Sequence, residues 1–400
     1  MNFPGLEEVS VTKAECIDGT YTIHVACPRK VHQCPLCGKQ TSKVHDYRLQ
    51  KIQHLKIFER YTQLFYRKRR YACSCGKRFA ENTSLVDRYQ RQSKEWNQAI
   101  ALRVIKGKTF KETADIFHTS SSTVIRRFDA IAAPQLKKVK ELPSVIAIDE
   151  YKGDTDKGKY QVIIADAQTR EPLDILPDRS VHTVKRYLRE KGNQVEMVVM
   201  DMSHSFKSAV RQALGHPIII ADRFHFCRYI YWALERVRRS EQHAFHAYDR
   251  KKCKRMKHIF YKAHETLSEK QKWYLDRYLK LSGKLKRAYQ LKETFRSWFE
   301  EAKQKGQAQI GQVKEALYAF YQKVEKEGLE EFIRAKKTLQ NWQKEILNSF
   351  AFSLNNGFVE GLNNQTKVIK RNGYGYRSYE RLRLRILLHH QFKDIPLHIG

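Results

Sequence analysis

The stretch VEMVVMDMSHSFKSAVRQALGHPIIIADRFHF, residues 195–226, reads as strand, helix, strand. Two apolar runs rich in β-branched residues flank a helical segment near 204–214, and each run ends on an aspartate, Asp201 and Asp222. Upstream, SVIAIDEY (144–151), KYQVIIADA (159–167) and EPLDILP (171–177) supply three more strands, with a helix expected near 181–191. Such alternation predicts a multidomain α/β chain whose central layer is a partly parallel sheet.

In open α/β sheets, ligands collect beyond the carboxyl ends of parallel strands. Asp149 ends the run VIAI and Asp201 ends VVM, so two hard oxygen ligands can meet at one edge and suit Mg²⁺ or Mn²⁺. If the second strand returns on the first through a turn near Lys152 to Lys159, Asp166 falls at the opposite end. Asp222 lies at the correct end but one strand farther out.

A third acid is found far along the chain. NNGFVEGLNNQTKVIKRNGYGYRS, residues 355–378, holds a single carboxylate, Glu360, among amides and bases. On a helix Glu360 shares a face with Asn363, Asn364, Lys367 and Arg371, while Phe358, Leu362 and Ile369 lie opposite. Lys370 extends the same group of cations, which can hold phosphates. A surface Glu360 paired with Lys367 or Asn364 is the plainer alternative. Two Asp and one Glu in these contexts predict a site for two divalent ions about 4 Å apart, at which phosphoryl chemistry needs no protein nucleophile.

Composition narrows the substrate. The 400 residues include 76 Lys+Arg against 43 Asp+Glu, a formal net charge of +33, interleaved with 12% aromatic residues. A polyanion, nucleic acid first, fits this balance far better than a small neutral substrate. The N-terminus MNFPGLEEVS has no signal pattern and no apolar run approaches the ~20 residues that span a bilayer, so a cytoplasmic, nucleoid-associated protein is expected. Cysteines in that compartment are thiols or metal ligands rather than disulfides.

Residues 1–85 are expected to form short strands. Within them Cys34-Pro-Leu-Cys37-Gly and Cys73-Ser-Cys75-Gly pair thiols beside glycine, as a structural four-cysteine Zn²⁺ site requires. Cys27, His32, His45 and His54 are possible substitutes for one ligand. The segment TFKETADIFHTSSSTVIRRFDAI, 109–131, reads as helix, turn, helix, opened by a capping box of Thr109 and Glu112. Ser121, Ser122, Thr123, Arg126 and Arg127 would then face phosphates and base edges from the second helix. Between Pro217 and Pro396 no proline occurs, which predicts a set of helices whose Trp232, Trp273, Trp298 and Trp342 are mostly core.

The strings IDEY (148–151), DMSHSF (201–206), ADRFHF (221–226) and VEGLNNQTKVIKRNGYGYRS (from 359) resemble the bacterial insertion-sequence transposases of the ISL-three family. The resemblance covers nearly the whole chain and implies a ribonuclease H-like DDE core interrupted by a helical insertion. It implies that Asp149, Asp201 and Glu360 are the metal-binding triad, and that Asp222 and His225 form a supporting Asp-x-x-His element. The expected domains are a zinc-binding unit (1–88), a helix-turn-helix (89–140), the first core segment (141–228), the insertion (229–345) and the second core segment (346–400). Binding of terminal inverted repeats, metal-dependent cleavage and strand transfer follow as expectations, with transposon ends and target as double-stranded DNA partners and a homodimer or larger assembly on paired ends. The competing readings are a non-enzymatic DNA-binding regulator and a nuclease that does not join strands.

Overall fold

Residues that alternate apolar and polar with a period of two build the N-terminal strands. These are β1 (Ser10–Ile17), β2 (Thr20–Ala26), the short β3 (His32–Gln33) and β4 (Gln40–Thr41), then β5 (Val44–Ile57), β6 (Arg60–Ala72) and β7 (Arg78–Ala80). The computed structural model describes residues 6, 9–107, 109–352, 354 and 357–393. Expected as short runs, the strands include a hairpin of 14 and 13 residues, β5 and β6, closed by a two-residue turn at Phe58 and Glu59. Both turn residues have positive φ, 48° and 61°, the backbone that a right-twisted hairpin needs at its tip. Leu64 and Tyr66 on β6 point into a core with Ile23, Val25 and Ile52, while Arg67 is exposed and Arg69 is buried in an ion pair with Glu81.

Three helices follow, α1 (Lys94–Lys106), α2 (Phe110–Ile116) and α3 (Ser121–Gln135). Ser93 caps α1, and its hydroxyl also meets His54 Nδ1 of β5 at 2.9 Å. The Gln53 backbone exchanges hydrogen bonds with Arg91 and Ser93, and Gln53 Nε2 donates to the Phe117 carbonyl. These bonds fuse strands and helices, so the boundary expected at 88/89 falls inside one compact unit comprising 1–137, 369–375 and 380–400.

The second unit comprises 138–368 and 376–379. Its sheet contains β8 (Val145–Thr155), β9 (Gly158–Asp166), β10 (Pro172–Leu176), β11 (Met197–Met200) and β12 (Ile218–Ala221), in the order β10-β9-β8-β11-β12. The first three strands run antiparallel in sequence, whereas β11 pairs in parallel with both β8 and β12. Helices α4 (Val181–Lys191) and α5 (His204–Leu214) supply the crossovers, capped by Ser180 and Ser203. Ile146, Ile148, Val198 and Met200 enter the main core, and the intervening Ala147 and Val199 are also fully buried. A sheet covered on both faces accounts for the continuous apolar runs.

From Arg223 the chain is helical: α6 (Arg223–Glu241), α7 (Ala247–Arg255), α8 (Glu269–Leu281), α9 (Gly283–Lys305), α10 (Ile310–Glu327), α11 (Glu330–Asn341) and α12 (Gln343–Ala351). Trp298 and Trp342 are core, but Trp232 and Trp273 are 42% and 58% exposed, so the expectation of mostly buried tryptophans holds for only half of this set. Asn348 of α12 donates to the Ile219 carbonyl at 2.8 Å and so fastens the helical segment to β12.

Helices α13 (Gly357–Asn372) and α14 (Tyr379–Gln391) end the described chain. The second core segment expected over 346–400 divides between the two units. The Tyr379 hydroxyl and backbone N–H bond to Ile175 and Asp156 of the second unit, whereas Leu384 and Leu388 join Trp96, Ile100, Val124 and Phe128 in the core of the first.

Candidate active site

The last paired row of the parallel strands is Ile148, Met200 and Ala221. The next residues are Asp149, Asp201 and Asp222, so register alone delivers three carboxylates to one sheet edge. Asp166 lies opposite Ile146, toward the other end of β8, where its Oδ1 accepts the N–H groups of Gln168 and Thr169 in a turn.

Each carboxylate is held. Asp149 Oδ1 accepts the Glu150 N–H and Oδ2 accepts Asn363 Nδ2, both at 2.8 Å. Asp201 Oδ1 accepts the Ser203 N–H at 3.1 Å. Asp222, at the N-cap of α6, pairs through Oδ2 with His225 Nδ1 at 2.8 Å.

Burial pushes the Asp149 carboxyl up to about 7, with the charges of Asp201 and Asp222 adding to the rise against the Glu150 N–H and His225. Burial also raises Asp201, helped by Glu150 and Asp222 and opposed by His225 and the Ser203 N–H. For His225, burial favours the neutral ring, yet the Asp222 hydrogen bond and the charges of Asp222, Asp201 and Asp149 outweigh it and raise the imidazole. An edge with this surplus of negative charge is relieved by protons or by cations.

Helix α13 carries the third expected acid. Val359, Leu362, Thr366 and Ile369 are buried, while Glu360, Asn364, Lys367 and Arg371 are exposed and Lys370 is half-buried. Asn363, expected beside Glu360 on the polar face, is instead 5% exposed because its amide reaches Asp149. Its Oδ1 is buried and has no hydrogen-bond partner among the described residues. Two half-buried carboxylates of raised pKa and an orphaned amide oxygen beside one of them form an oxygen-rich set that suits Mg²⁺. Glu360, one helical turn before Asn363, forms no hydrogen bond or ion pair with a described residue. Among the described residues, the only group of three or more ligand atoms lying within 4.8 Å of one another is elsewhere. Asp149, Asp201, Asp222 and His225 lie close enough at this edge to shift one another's titration, while Glu360 is exposed on α13, the helix whose Asn363 reaches Asp149. Asn363 was absent from the expected site residues; its place one turn from Glu360 was the available signal.

That other group is the four cysteines. Cys34 and Cys75 Sγ atoms are 3.7 Å apart, and those of Cys37 and Cys73 are 3.5 Å apart. Each pair sits on a tight turn, closed by Gly38 N–H to the Cys34 carbonyl and by Gly76 N–H to the Cys73 carbonyl, both 3.0 Å. Gly38 and Gly76 have φ of 73° and 85°, which explains a glycine after each pair. The Cys75 N–H pulls the Cys73 thiol down to about 6, aided by the neighbouring thiols. Despite the Lys39 N–H, Cys37 is pushed up to about 12 by Cys75, burial, Cys73 and Cys34. Four sulfurs at these separations fit a tetrahedral Zn²⁺ with bonds of about 2.3 Å. The possible substitutes Cys27, His32, His45 and His54 are not in the cluster.

In the helical part of this unit, Thr109 Oγ1 accepts the Glu112 N–H at 2.8 Å and opens α2, and Ser120 caps α3. The Glu112 carboxylate lies 3.7 Å from Arg103. Val124 and Phe128 are buried, while Ser122 and Arg126 are exposed. Ser121 and Thr123 are half-buried, and Arg127 is turned inward onto Gln90 and Gln92 of its own unit. Arg126 and Ser122 are thus the better placed of the five for an outside partner.

Comparison with known proteins adds three family matches. A transposase model of the ISL3 type matches residues 146–386, a zinc finger of transposases IS204/IS1001/IS1096/IS1165 matches 30–75, and a helix-turn-helix domain of transposase family ISL3 matches 81–132. The transposase for insertion sequence element IS1001 of Bordetella parapertussis is 26% identical over 382 residues, covering 92% of this chain and 91% of that protein. A Lactococcus lactis subsp. lactis protein named an ATP-dependent protease is 33% identical over 119 residues, 29% of this chain and 34% of that protein. The zinc-finger match contains all four clustered cysteines, and the two together support a structural zinc in this unit.

Proposed function

Because the chain belongs to the ISL3 family of transposases, we propose that it binds the terminal inverted repeats of an insertion sequence, cleaves a phosphodiester there and transfers the strand. The observation that carries this reading is the row Asp149, Asp201 and Asp222, which directly follows the last parallel-paired residues of three adjacent strands, Asp149 within β8 and the other two just past strand ends. The strand order β10-β9-β8-β11-β12, with a parallel half and an antiparallel half, supports a ribonuclease H-like core for that row.

Asp149, Asp201 and Glu360 are the proposed metal ligands. Two Mg²⁺ or Mn²⁺ ions would supply activation of the attacking water or 3′-hydroxyl and stabilisation of the leaving oxygen. The chain supplies positioning. The Glu150 N–H and Asn363 fix the plane of the Asp149 carboxylate, and Asp222 orients His225 toward the same edge. Asn364, Lys367, Lys370 and Arg371 on α13 offer amide and cationic donors to phosphates. Ser122 and Arg126 of α3 read the repeat, and the zinc unit extends that contact.

No described helix is long and apolar enough to cross a membrane. The place of action is the cytoplasm, on chromosomal DNA, with at least two copies needed to hold paired ends. The test is metal-dependent nicking of a labelled terminal fragment by wild type and by Asp201→Asn. Wild type should nick and the variant should bind equally well without cutting. Binding without cutting by both would make the protein a regulator, and cutting without joining of a pre-cut end would make it a nuclease only.

A further inference from the structure

Helix α6 starts at the carboxylate edge and leads away from it. Its inward positions, Phe226, Ile230, Ala233, Leu234 and Val237, are buried in the core. On the opposite side, four residues at a constant spacing of four form a stripe: Phe224, Arg228, Trp232 and Arg236. Aromatic and cation alternate along it. Phe224 is 55% exposed and Trp232 is 42% exposed. The Arg228 guanidinium carbon lies 5.5 Å from the Phe224 ring centroid and 4.6 Å from that of Trp232, so one cation bridges two rings. Phe224 also meets the His225 ring edge-on at 5.7 Å, which ties the stripe to the Asp222–His225 pair.

An i, i+4 cation–π pair can serve only to stabilise a helix, and one ring suffices for that. Here two large rings stay open to solvent on the same face, two residues after Asp222, in a chain of net charge +33. Exposed rings alternating with guanidinium groups match one ligand class closely: unpaired nucleotides, whose bases stack on π faces while their phosphates meet the cations. Phe224 and Trp232 are eight residues apart, about 12 Å along a helix, which spans about three to four bases at duplex stacking distance.

We propose that the Phe224–Arg228–Trp232–Arg236 stripe is a stacking platform for unpaired bases of the DNA strand that leaves the carboxylate edge. The proposal rests on the reading of that edge as a DNA-cleaving site and adds a contact to bases released from the duplex.

The test uses the full-length protein carrying Asp149→Asn, in chelator, so that binding is measured without cleavage. The probes are an oligothymidylate of about twelve residues and a mixed-sequence duplex. The double variant Phe224→Ala/Trp232→Ala should weaken oligothymidylate binding by about ten- to a hundredfold while duplex affinity changes by less than about twofold. Phe224→Tyr/Trp232→Phe should restore it, since any aromatic face stacks, and this pair also controls for misfolding. Equal losses on both probes, no loss on either, or a change in sedimentation with unchanged oligonucleotide affinity, which would mark the stripe as an interface between copies, would each overturn the platform. Failure of the nuclease reading would show separately, as an Asp149→Asn enzyme that still cuts when metal is supplied.

Discussion

The two acidic or thiol clusters of this molecule are built on opposite plans. In the zinc unit, four sulfurs from two turns already lie within 4.8 Å of one another, and the glycine after each pair fixes its turn. At the sheet edge, two aspartates are held by neighbouring N–H groups and an asparagine, while Glu360 stays exposed on α13. A site that must only hold an ion can be complete before the ion arrives, because its purpose is to brace two turns that carry little apolar core of their own. On the proposed function the sheet edge is open to a DNA strand, and the raised carboxyl pKa values of Asp149 and Asp201 mark crowded negative charge that cations would relieve.

The sharpest way to break this contrast is to remove one ligand from each. Cys34→Ser should cost the N-terminal unit most of its folding free energy, since ion binding in such units is worth about 10 kcal/mol or more. Zinc content and amide protection in β2, β5 and β6 would both fall; unchanged zinc in the variant would remove Cys34 from the ligand set. Asp149→Ala should leave the fold and DNA binding intact but slow cleavage by about a thousandfold or more. Loss of binding in a gel-shift assay would show that Asp149 is structural.

Asn363→Ala tests the arm that orients Asp149. Cleavage should fall by about ten- to a hundredfold, the usual cost of losing a partner that orients a metal ligand, with the Mg²⁺ concentration for half-activity rising. An unchanged metal dependence would show that the 2.8 Å contact does nothing for the site.

The smallest effect is on stability, and it has a definite sign. Asp149 is raised from an ordinary value of 3.8 to about 7, so its ionisation opposes folding. That penalty is absent below about pH 4, grows between pH 4 and 7, and is full above pH 7. In chelator, Asp149→Asn should therefore raise the melting temperature at pH 8, by about 1–3 kcal/mol of stability, and the gain should vanish as the pH is lowered toward 4. A constant gain across that range would assign the effect to packing rather than charge.

How much of this could be read from the chain follows the range of each interaction. Helices near 181–191 and 204–214 were legible because helical stretches alternate with apolar β-branched runs, and Ser180 and Ser203 cap them in the structure. The carboxylate row was legible because each aspartate ends an apolar run, although β8 itself continues through Asp149 to Thr155 in its pairing with β9. The long β5–β6 hairpin reads as short strands because four consecutive basic residues, Arg67 to Arg70 in β6, interrupt the apolar alternation. Partners remote in sequence could not be seen. Asn363 is buried by a bond to a residue 214 positions away, and Arg127 is withdrawn by Gln90 and Gln92. Leu384 and Leu388 carry α14 into the core of the N-terminal helices, a contact that no local pattern announces.

The central claim is that Glu360 completes a metal site with Asp149 and Asp201 when DNA is bound. Fe²⁺ substituted for Mg²⁺ in the protein–DNA complex, with ascorbate and peroxide, generates hydroxyl radicals that cut the polypeptide beside the ion. The account predicts backbone cuts near residues 149, 201 and 360, and loss of the third with Glu360→Gln. Cuts near 149 and 201 with none near 360 in wild type would contradict it.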